Sequence, residues 1–278
     1  MTRIALIALG LVSLAAGGTA MSSPDYANHF QSAPVHAGEV TASASSAFAR
    51  QNDAKLKVKF DNRSDDFLVI TKNGTRISST AGEYVATNRD GFKVIDPTSD
   101  GSHTFVFEDG GGKLCTLSMV ARLDGVFLAS GQGEPVQAEP FTLPLSANKV
   151  EAGGFLCITK GKVKQETKEA KAKFECTYQG AEGTAGLLDS EAITVATPDG
   201  QAFANESGKP TKLLLPGEKA SFEVKNTIIR PNPHDVDMQF TQLTLQWNDA
   251  LRTVTMQPVA FPDWEFSLDV ALTAEKNK

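Results

Sequence analysis

The chain has 278 residues, of which 41% are hydrophobic and 22% charged, and its 33 acidic against 27 basic side chains give a formal net charge of −6. This acidic balance argues against nucleic acid as the main partner, because nucleic-acid-binding surfaces are basic. The length is sufficient for two ordinary domains or for one large domain.

The first twenty residues, MTRIALIALGLVSLAAGGTA, have the pattern of a secretory signal peptide. Arg3 precedes an apolar run from Ile4 to Ala16, and Gly18 and Ala20 occupy the small-residue positions of a cleavage site. The run is shorter than the roughly 20 apolar residues of a membrane-spanning helix, and no later stretch is apolar enough to span. The sequence therefore predicts an exported protein, periplasmic or extracellular, with a signal peptide at 1–20 and a flexible segment at 21–36.

From Ala37 onward the sequence is typical of short β-strands separated by turns. The strand-like stretches are rich in β-branched and aromatic residues, and they are AKLKVKF (54–60), FLVIT (67–71), HTFVFE (103–108), TLSMVARL (116–123) and VFLA (126–129). Asn73-Gly74 and Asp124-Gly125 between them favour tight hairpin turns, because Asx and Gly tolerate positive φ angles. No stretch has the period of a long amphipathic helix. The sequence predicts an all-β protein.

The same order of features returns roughly 115 to 126 positions later, which indicates an internal repeat. The matched pairs are AGEVTASASSAFARQNDAKLKVKF with AGGFLCITKGKVKQETKEAKAKF, ITKNG (70–74) with VATPDG (195–200), KVIDPTSDGSHTFVFE with KLLLPGEKASFEV, TLSMVARLDGVFLA with QLTLQWNDALRTVTM, and PVQAEPFTLPL with PVAFPDWEFSL. The predicted units are 37–147 and 148–278, meeting near 145–152. One single β structure is the alternative.

LLPGEKASFEV (214–224), KLKVKFDN and KAKFECTY resemble the strand openings and PGE turns of bacterial extracellular immunoglobulin-like (telokin-like) domains. The resemblance covers most of each repeat and implies two tandem immunoglobulin-like β-sandwiches, each of about seven strands. It also implies a binding role, because such domains mostly mediate adhesion, assembly or recognition.

Two of the three cysteines, Cys157 and Cys176, fall opposite each other if 153–180 folds into a hairpin with its tip near 165–168. Directly opposed side chains in a sheet lie close enough for a disulfide with modest adjustment. Scattered histidines and the absence of a Cys-x-x-Cys motif argue against a metal or redox site. The sequence predicts the disulfide Cys157–Cys176, with Cys115 left as a thiol. A pairing of Cys115 with either of the two is the alternative.

The same hairpin register places four lysines on the face opposite the cysteines, with Lys160 across from Lys173 and Lys162 across from Lys171. Like charges that face each other are mildly destabilising. One interpretation is that the lysines protect an exposed strand from aggregation. The functional interpretation is a patch that attracts an anionic partner.

Two further positions are candidate ligand sites. Trp264 in FPDWEF could stack against a sugar if it is exposed, with burial at the end of a sandwich as the alternative. Asp235 and Asp237, beside His234, could hold a cation, although a hydrophilic loop explains them equally well. The sequence predicts no metal site and no cofactor.

No nucleophile elbow, zinc-protease motif or phosphate-binding glycine loop occurs in the chain. The sequence therefore predicts a non-enzymatic binding or structural module whose partner is a protein or an anionic envelope component. The alternatives are a carbohydrate-binding or carbohydrate-processing accessory protein and a periplasmic assembly chaperone.

Overall fold

A computed structural model describes residues 25–71, 74–80, 82–87, 91–108, 114, 116–144, 149–227, 237–239 and 241–278. Alternation of buried and exposed side chains with period two dominates these residues, as expected of half-buried strands. All strand pairs are antiparallel. The predicted all-β class is confirmed.

The first eleven strands lie before the crossover between the two halves of the chain. They are β1 Asn28–Gln31, β2 Val35–Ala37, β3 Val40–Ala49, β4 Asp53–Asn62, β5 Phe67–Thr71, β6 Thr75–Ser79, β7 Gly82–Val85, β8 Phe92–Ile95, β9 Asp100–Glu108, β10 Ser118–Leu123 and β11 Val126–Ala129.

The remaining strands follow the crossover. They are β12 Glu134–Pro135, β13 Phe141–Leu143, β14 Lys149–Ala152, β15 Phe155–Glu166, β16 Glu169–Tyr178, β17 Thr184–Leu188, β18 Thr194–Ala196, β19 Ala202–Ala204, β20 Lys212–Leu214, β21 Lys219–Thr227, β22 Leu243–Gln246, β23 Leu251–Thr255, β24 Gln257–Pro258 and β25 Trp264–Leu268. A 3-10 turn spans Ser190–Ala192, and the helix α1 spans Val270–Lys276. In the described part of the chain, no helix has the length and apolar character needed to cross a membrane.

The first half is built around a nine-stranded sheet that nearly closes into a barrel. Its path is β7-β6-β10-β25-β1-β3-β4-β9, and β2 pairs with β3 beside that path. The two ends of the path approach each other, because the Thr87 amide just after β7 donates a 2.7 Å hydrogen bond to the Val106 carbonyl in β9. A separate sheet, β24-β11-β5-β8, packs against the same core.

The second half repeats the three four-stranded groups of this arrangement. The path β7-β6-β10-β25 corresponds to β19-β18-β22-β13, the sheet β24-β11-β5-β8 to β12-β23-β17-β20, and β2-β3-β4-β9 to β14-β15-β16-β21. The internal repeat inferred from the sequence is therefore visible in the sheet topology. One pairing was wrong: ITKNG connects β5 and β6, whereas VATPDG connects β18 and β19, which are the counterparts of β6 and β7.

Each half is completed by two strands that follow the other repeat in the sequence. β12 and β13 follow the first repeat, yet they pair with β23 and β22 of the second half. β24 and β25 follow the second repeat, yet they pair with β11, β10 and β1 of the first half. Sheet pairing therefore crosses the unit boundary predicted near 147, and independent folding of 37–147 and 148–278 stays a prediction.

The buried side chains form three clusters, and two of these contain residues of the exchanged segments. The first core includes Val259, Trp264 and Phe266 from the end of the chain, and the second includes Phe141 and Leu143 from before the predicted boundary. A third cluster lies between β5 and β11 on one side and β17 and β20 on the other. FLVIT is buried on both faces for this reason, since alternate residues of β5 face the first core and the third cluster.

Two details of the predicted architecture need correction. The segment 21–36 was predicted to be flexible, but Asn28–Gln31 forms β1 in the middle of the nine-stranded sheet. Each half also contains three four-stranded groups rather than the two sheets of an immunoglobulin-like sandwich, and the exchanged strands lie at the ends of two of these groups or extend them. The observed architecture is a set of several antiparallel sheets that includes a nearly closed barrel.

Candidate anion-binding face

The sheet β14-β15-β16-β21 separates an apolar side from a charged side. Along β16, Ala170, Ala172, Phe174 and Cys176 are buried in the second core, and the residues between them point away from it. β21 alternates in the same way. We call the outward side of this four-stranded sheet the lysine face.

The disulfide Cys157–Cys176 lies on the apolar side and is confirmed. The two cysteines are direct cross-strand partners in β15 and β16, and both are completely buried. The bond links β15 to β16 on the side of the sheet opposite to the lysine face. Cys115, predicted to be a thiol, lies outside the described residues.

The predicted lysine register holds near the disulfide and fails toward the hairpin tip. Lys160 opposes Lys173 as predicted, but Lys171 opposes Lys164 rather than Lys162. Two additional residues of β15 bulge out between these pairs, next to Gly161, whose φ of +74° is unfavourable for other residues. No atom lies within 4 Å of a Cβ built on Gly161, so the backbone conformation alone explains this glycine.

Glutamates on neighbouring strands neutralise part of the lysine face. Lys160 and Lys219 contact Glu175 at 3.1 and 3.4 Å, Lys171 contacts Glu223 at 2.9 Å, and Lys225 contacts Glu169 at 3.2 Å. The hydrogen bond from Lys160 lowers the pKa of Glu175 below its ordinary value. The hydrogen bond between Lys171 and Glu223 raises the pKa of the lysine and lowers that of the glutamate.

Some cations of the lysine face are left without such a contact. In the described residues, no ion pair joins Lys173, Lys162 or Lys209 to a carboxylate. Lys160, Lys173 and Lys209 line one groove of about 460 Å³, together with Ser207, Ser221 and Glu223. Phe174 and Phe222 also line the groove, and its ammonium and hydroxyl groups are the donors that the oxygens of an anion could use beside the Glu223 carboxylate.

The first half provides an internal comparison, because β4 also carries alternating lysines, Lys55, Lys57 and Lys59. The cross-strand pairs of β3 with β4 and of β15 with β16 align the two halves, and in this alignment Lys57 corresponds to Lys173. The difference lies in the neighbouring strand, where β3 has Ser43, Ser45 and Ser46 and β15 has Lys160, Lys162 and Lys164. The additional positive charge is therefore specific to β15.

The sugar-stacking hypothesis for Trp264 is wrong for this conformation. Trp264 is 2% exposed, lies in β25 within the first core, and donates a 2.7 Å hydrogen bond from Nε1 to the Ala33 carbonyl. Its neighbour Asp263 is engaged by Arg122 through two hydrogen bonds of 3.0 and 3.2 Å. The indole is therefore part of the buried first core and is not available to stack against a sugar.

The suggested cation site lies mostly outside the described residues, since both His234 and Asp235 do. Asp237 is described, and its carboxylate accepts a 2.9 Å hydrogen bond from the amide of Gln239. Within the described part of the chain, no group of three or more His, Cys, Asp or Glu side chains has the arrangement of a metal site.

Sequence reasoning identified the lysines of the hairpin but missed Lys209, Lys219 and Lys225, which reach the same face. Lys219 and Lys225 are brought there by the pairing of β16 with β21. Lys209 lies between β19 and β20 and lines the same groove. The alternation of KASFEVKNT (219–227) is the signal that could have indicated Lys219 and Lys225.

Comparison with known proteins assigns no family. No family model matches the chain, and no curated protein matches it. Among solved structures, an oxalate decarboxylase shows 10% identity over 92% of this chain and 85% of its own, with a TM-score of 0.17. The pro-11S globulin of pumpkin shows 8% identity over 81% of this chain and 86% of its own, with a TM-score of 0.16.

Proposed function

We propose that the protein is an exported, non-enzymatic binding module that captures an acidic segment of a protein partner on the lysine face. The observation that carries the proposal is the groove at Lys160, Lys173 and Lys209, two of whose ammonium groups form no ion pair within the described residues. The disulfide supports export, because such bonds persist in oxidising compartments.

Electrostatics explains how such a face would act on an acidic protein. The mature chain would have a net charge of −7, since the predicted signal peptide removes Arg3 and no acid from 27 basic and 33 acidic residues. Acidic partners are repelled by most of such a surface and are steered to its positive region. Exposed charges are screened over about 8 Å at physiological ionic strength, so binding should weaken with salt.

The test is fluorescence anisotropy with labelled poly-L-glutamate, at low salt and at physiological ionic strength. Lys173→Glu/Lys209→Glu should weaken binding on the order of tenfold, as expected when two exposed contacts of about 0.2–1 kcal/mol become repulsive. Lys55→Glu/Lys57→Glu, an equal change of charge on β4 of the first half, is the control and should leave binding nearly unchanged. Equal binding by both variants at low salt would contradict the proposal.

Relief of the existing ion pairs offers a complementary measurement. Glu223→Gln should strengthen binding, because it releases the ammonium group of Lys171 from its 2.9 Å contact. The control is Asp100→Asn, which releases Lys59 from a 3.1 Å contact in the first half and should have little effect.

A further inference from the structure

The second half contains a cavity of about 550 Å³ between the β12–β13 connection and the β22–β23 turn. Residues 136–140 form one wall, and residues 246–249 form the other. Its size is in the range of small-molecule sites, which is roughly 300–1,000 Å³. The described residues that line it include none of those at the groove of Lys160, Lys173 and Lys209.

The corresponding place in the first half is filled by an aromatic ring. β24 and β25 correspond to β12 and β13, and the connections 259–263 and 136–140 are equally long. Phe261 therefore corresponds to Ala138. Phe261 packs against the first core, with its ring centroid 6.4 Å from that of Phe60. The small Ala138 side chain leaves this space free in the second half.

The first half also has a side-chain link between the two walls. Arg122 in β10 donates two hydrogen bonds to Asp263 in the β24–β25 connection. The pairing of β10 with β25 and of β22 with β13 makes Gln246 and Pro140 their counterparts. These two residues cannot form an ion pair, so the link has no counterpart in the second half.

The polar groups of the cavity include both acceptors and donors. Glu139 and Asp249 are exposed, and among the described residues no ion pair joins either carboxylate to a cation. The Thr194 hydroxyl donates a 3.3 Å hydrogen bond to the Gln246 carbonyl and accepts a 2.7 Å hydrogen bond from the Asn248 amide. These bonds leave the Gln246 amide nitrogen as a donor and the Asn248 carbonyl oxygen as an acceptor.

Trp247 lines the same cavity and adds an unpaired donor. Its side chain is 2% exposed, and its Nε1 has no hydrogen-bond partner in the part of the chain that the structure describes. The other indole, that of Trp264, donates to the Ala33 carbonyl. A buried N–H group without an acceptor is unfavourable, and a ligand that places an oxygen beside the indole would satisfy it.

We infer that the cavity between 136–140 and 246–249 is a binding site for a neutral saccharide. A hydroxyl group both donates and accepts, so saccharide hydroxyls pair with the carboxylates as well as with the amide and indole donors. An ammonium group only donates, and an anion would face two unpaired carboxylates. The C–H groups of a sugar ring match the apolar side chains of Val136, Ala138 and Pro140. This inference goes beyond the proposed function and requires no acidic partner.

The test is nuclear magnetic resonance of protein labelled with ¹⁵N at tryptophan, titrated with maltotriose, cellotriose or triacetylchitotriose. At least one of these saccharides should shift the indole signal of Trp247 in a saturable manner. The signal of Trp264, whose Nε1 is bonded in the first core, is the internal control and should stay in place. Trp247→Phe assigns the two signals.

Two variants connect the shift to the cavity. Ala138→Phe introduces the residue of the first half and should weaken binding at least tenfold. Glu139→Gln/Asp249→Asn should weaken it about tenfold, because hydrogen bonds to charged groups are stronger than those to neutral ones. The control is Glu182→Gln/Glu265→Gln, which removes two exposed carboxylates outside the cavity and should bind like the wild type.

The absence of a shift with all three saccharides would overturn the inference, and so would equal binding by Ala138→Phe and the wild type. A shift produced by calcium chloride or putrescine, but by no saccharide, would identify a cation site instead. Binding of poly-L-glutamate should be the same in all these variants. Its loss in Lys173→Glu/Lys209→Glu concerns the proposed function alone, so the two failures are distinguishable.

Discussion

Single residues on the two sides of the β15–β16 hairpin have separable roles. The disulfide and the aromatic side chains hold the apolar side, and the ion pairs are confined to the charged side. Changes on one side should therefore leave the other intact, so stability and binding can be examined independently.

Removal of the disulfide should reduce stability without changing the fold. The bond joins residues 19 positions apart, and closing a loop of this size stabilises a protein by roughly 3 kcal/mol in the chain-entropy model. Urea unfolding of Cys157→Ala/Cys176→Ala should show a loss of about that size. The corresponding cross-strand pair of the first half is Ala42 and Phe60, so this position of the sheet does not require a disulfide to form.

The control for this variant is the wild-type protein measured with reductant, which should show a similar loss. Non-reducing peptide mapping should link Cys157 to Cys176 and leave Cys115 as a thiol. A linkage through Cys115 would contradict the pairing.

Glu218 should give stability a pH dependence of defined sign. Burial raises its pKa, although its carboxylate accepts a 2.8 Å hydrogen bond from the Leu215 amide that acts in the opposite direction. The folded protein therefore keeps the proton to a higher pH than the unfolded chain does. Stability from this group is present below the unfolded pKa and is lost as the pH rises through the folded pKa.

Glu218→Gln cannot ionise, so it should raise the melting temperature at neutral pH and should lose that advantage in acid. The control is Glu182→Gln, which removes the same charge from an exposed turn before β17. An advantage of Glu218→Gln that is the same at both pH values would show that ionisation is not its cause.

Among the elements, β25 shows most directly how the exchange of strands contributes to stability. It pairs with both β10 and β1, and it places Trp264 and Phe266 in the first core. A chain truncated after Met256 should therefore destabilise the first half, although the removed residues follow the second repeat. Hydrogen exchange should become fast in β3, β4 and β9 and stay slow in β15, β16 and β21.

Trp264→Ala provides a smaller disturbance of the same element. Loss of a buried tryptophan costs about 3–5 kcal/mol, and here the Ala33 carbonyl also loses its hydrogen bond. The effect in hydrogen exchange should again be confined to the first half. Equal loss of protection in both halves would mean that the two cores unfold as one unit.

Much of the element level could be predicted from the sequence. The stretches at 67–71 and 126–129 coincide with β5 and β11, and the predicted turn Asp124-Gly125 lies between β10 and β11. These features depend on local alternation and turn chemistry. The bulge at Gly161 was missed because a bulge changes the cross-strand register without interrupting the alternating pattern.

At the scale of the whole molecule, the internal repeat could be seen in the sequence, but the exchange of closing strands between the two halves could not. PVQAEPFTLPL and PVAFPDWEFSL were correctly matched as the closing strands of the two copies. Either segment satisfies the same pairing rules in its own half or in the other half, because the halves are equivalent. Only the connections between strands decide between these arrangements, and they act over more than 100 residues.

A single cut in 145–148 should test the exchange directly. It separates 21–147 from 148–278, the two units predicted from the sequence, but leaves β13 paired with β22 and β25 paired with β10 and β1. The third buried cluster, between β5 and β17, also joins the fragments. A protease site inserted there should give two fragments that elute together in size-exclusion chromatography under native conditions and separate only in denaturant. Fragments that separate without denaturant would show instead that each repeat holds its own closing strands.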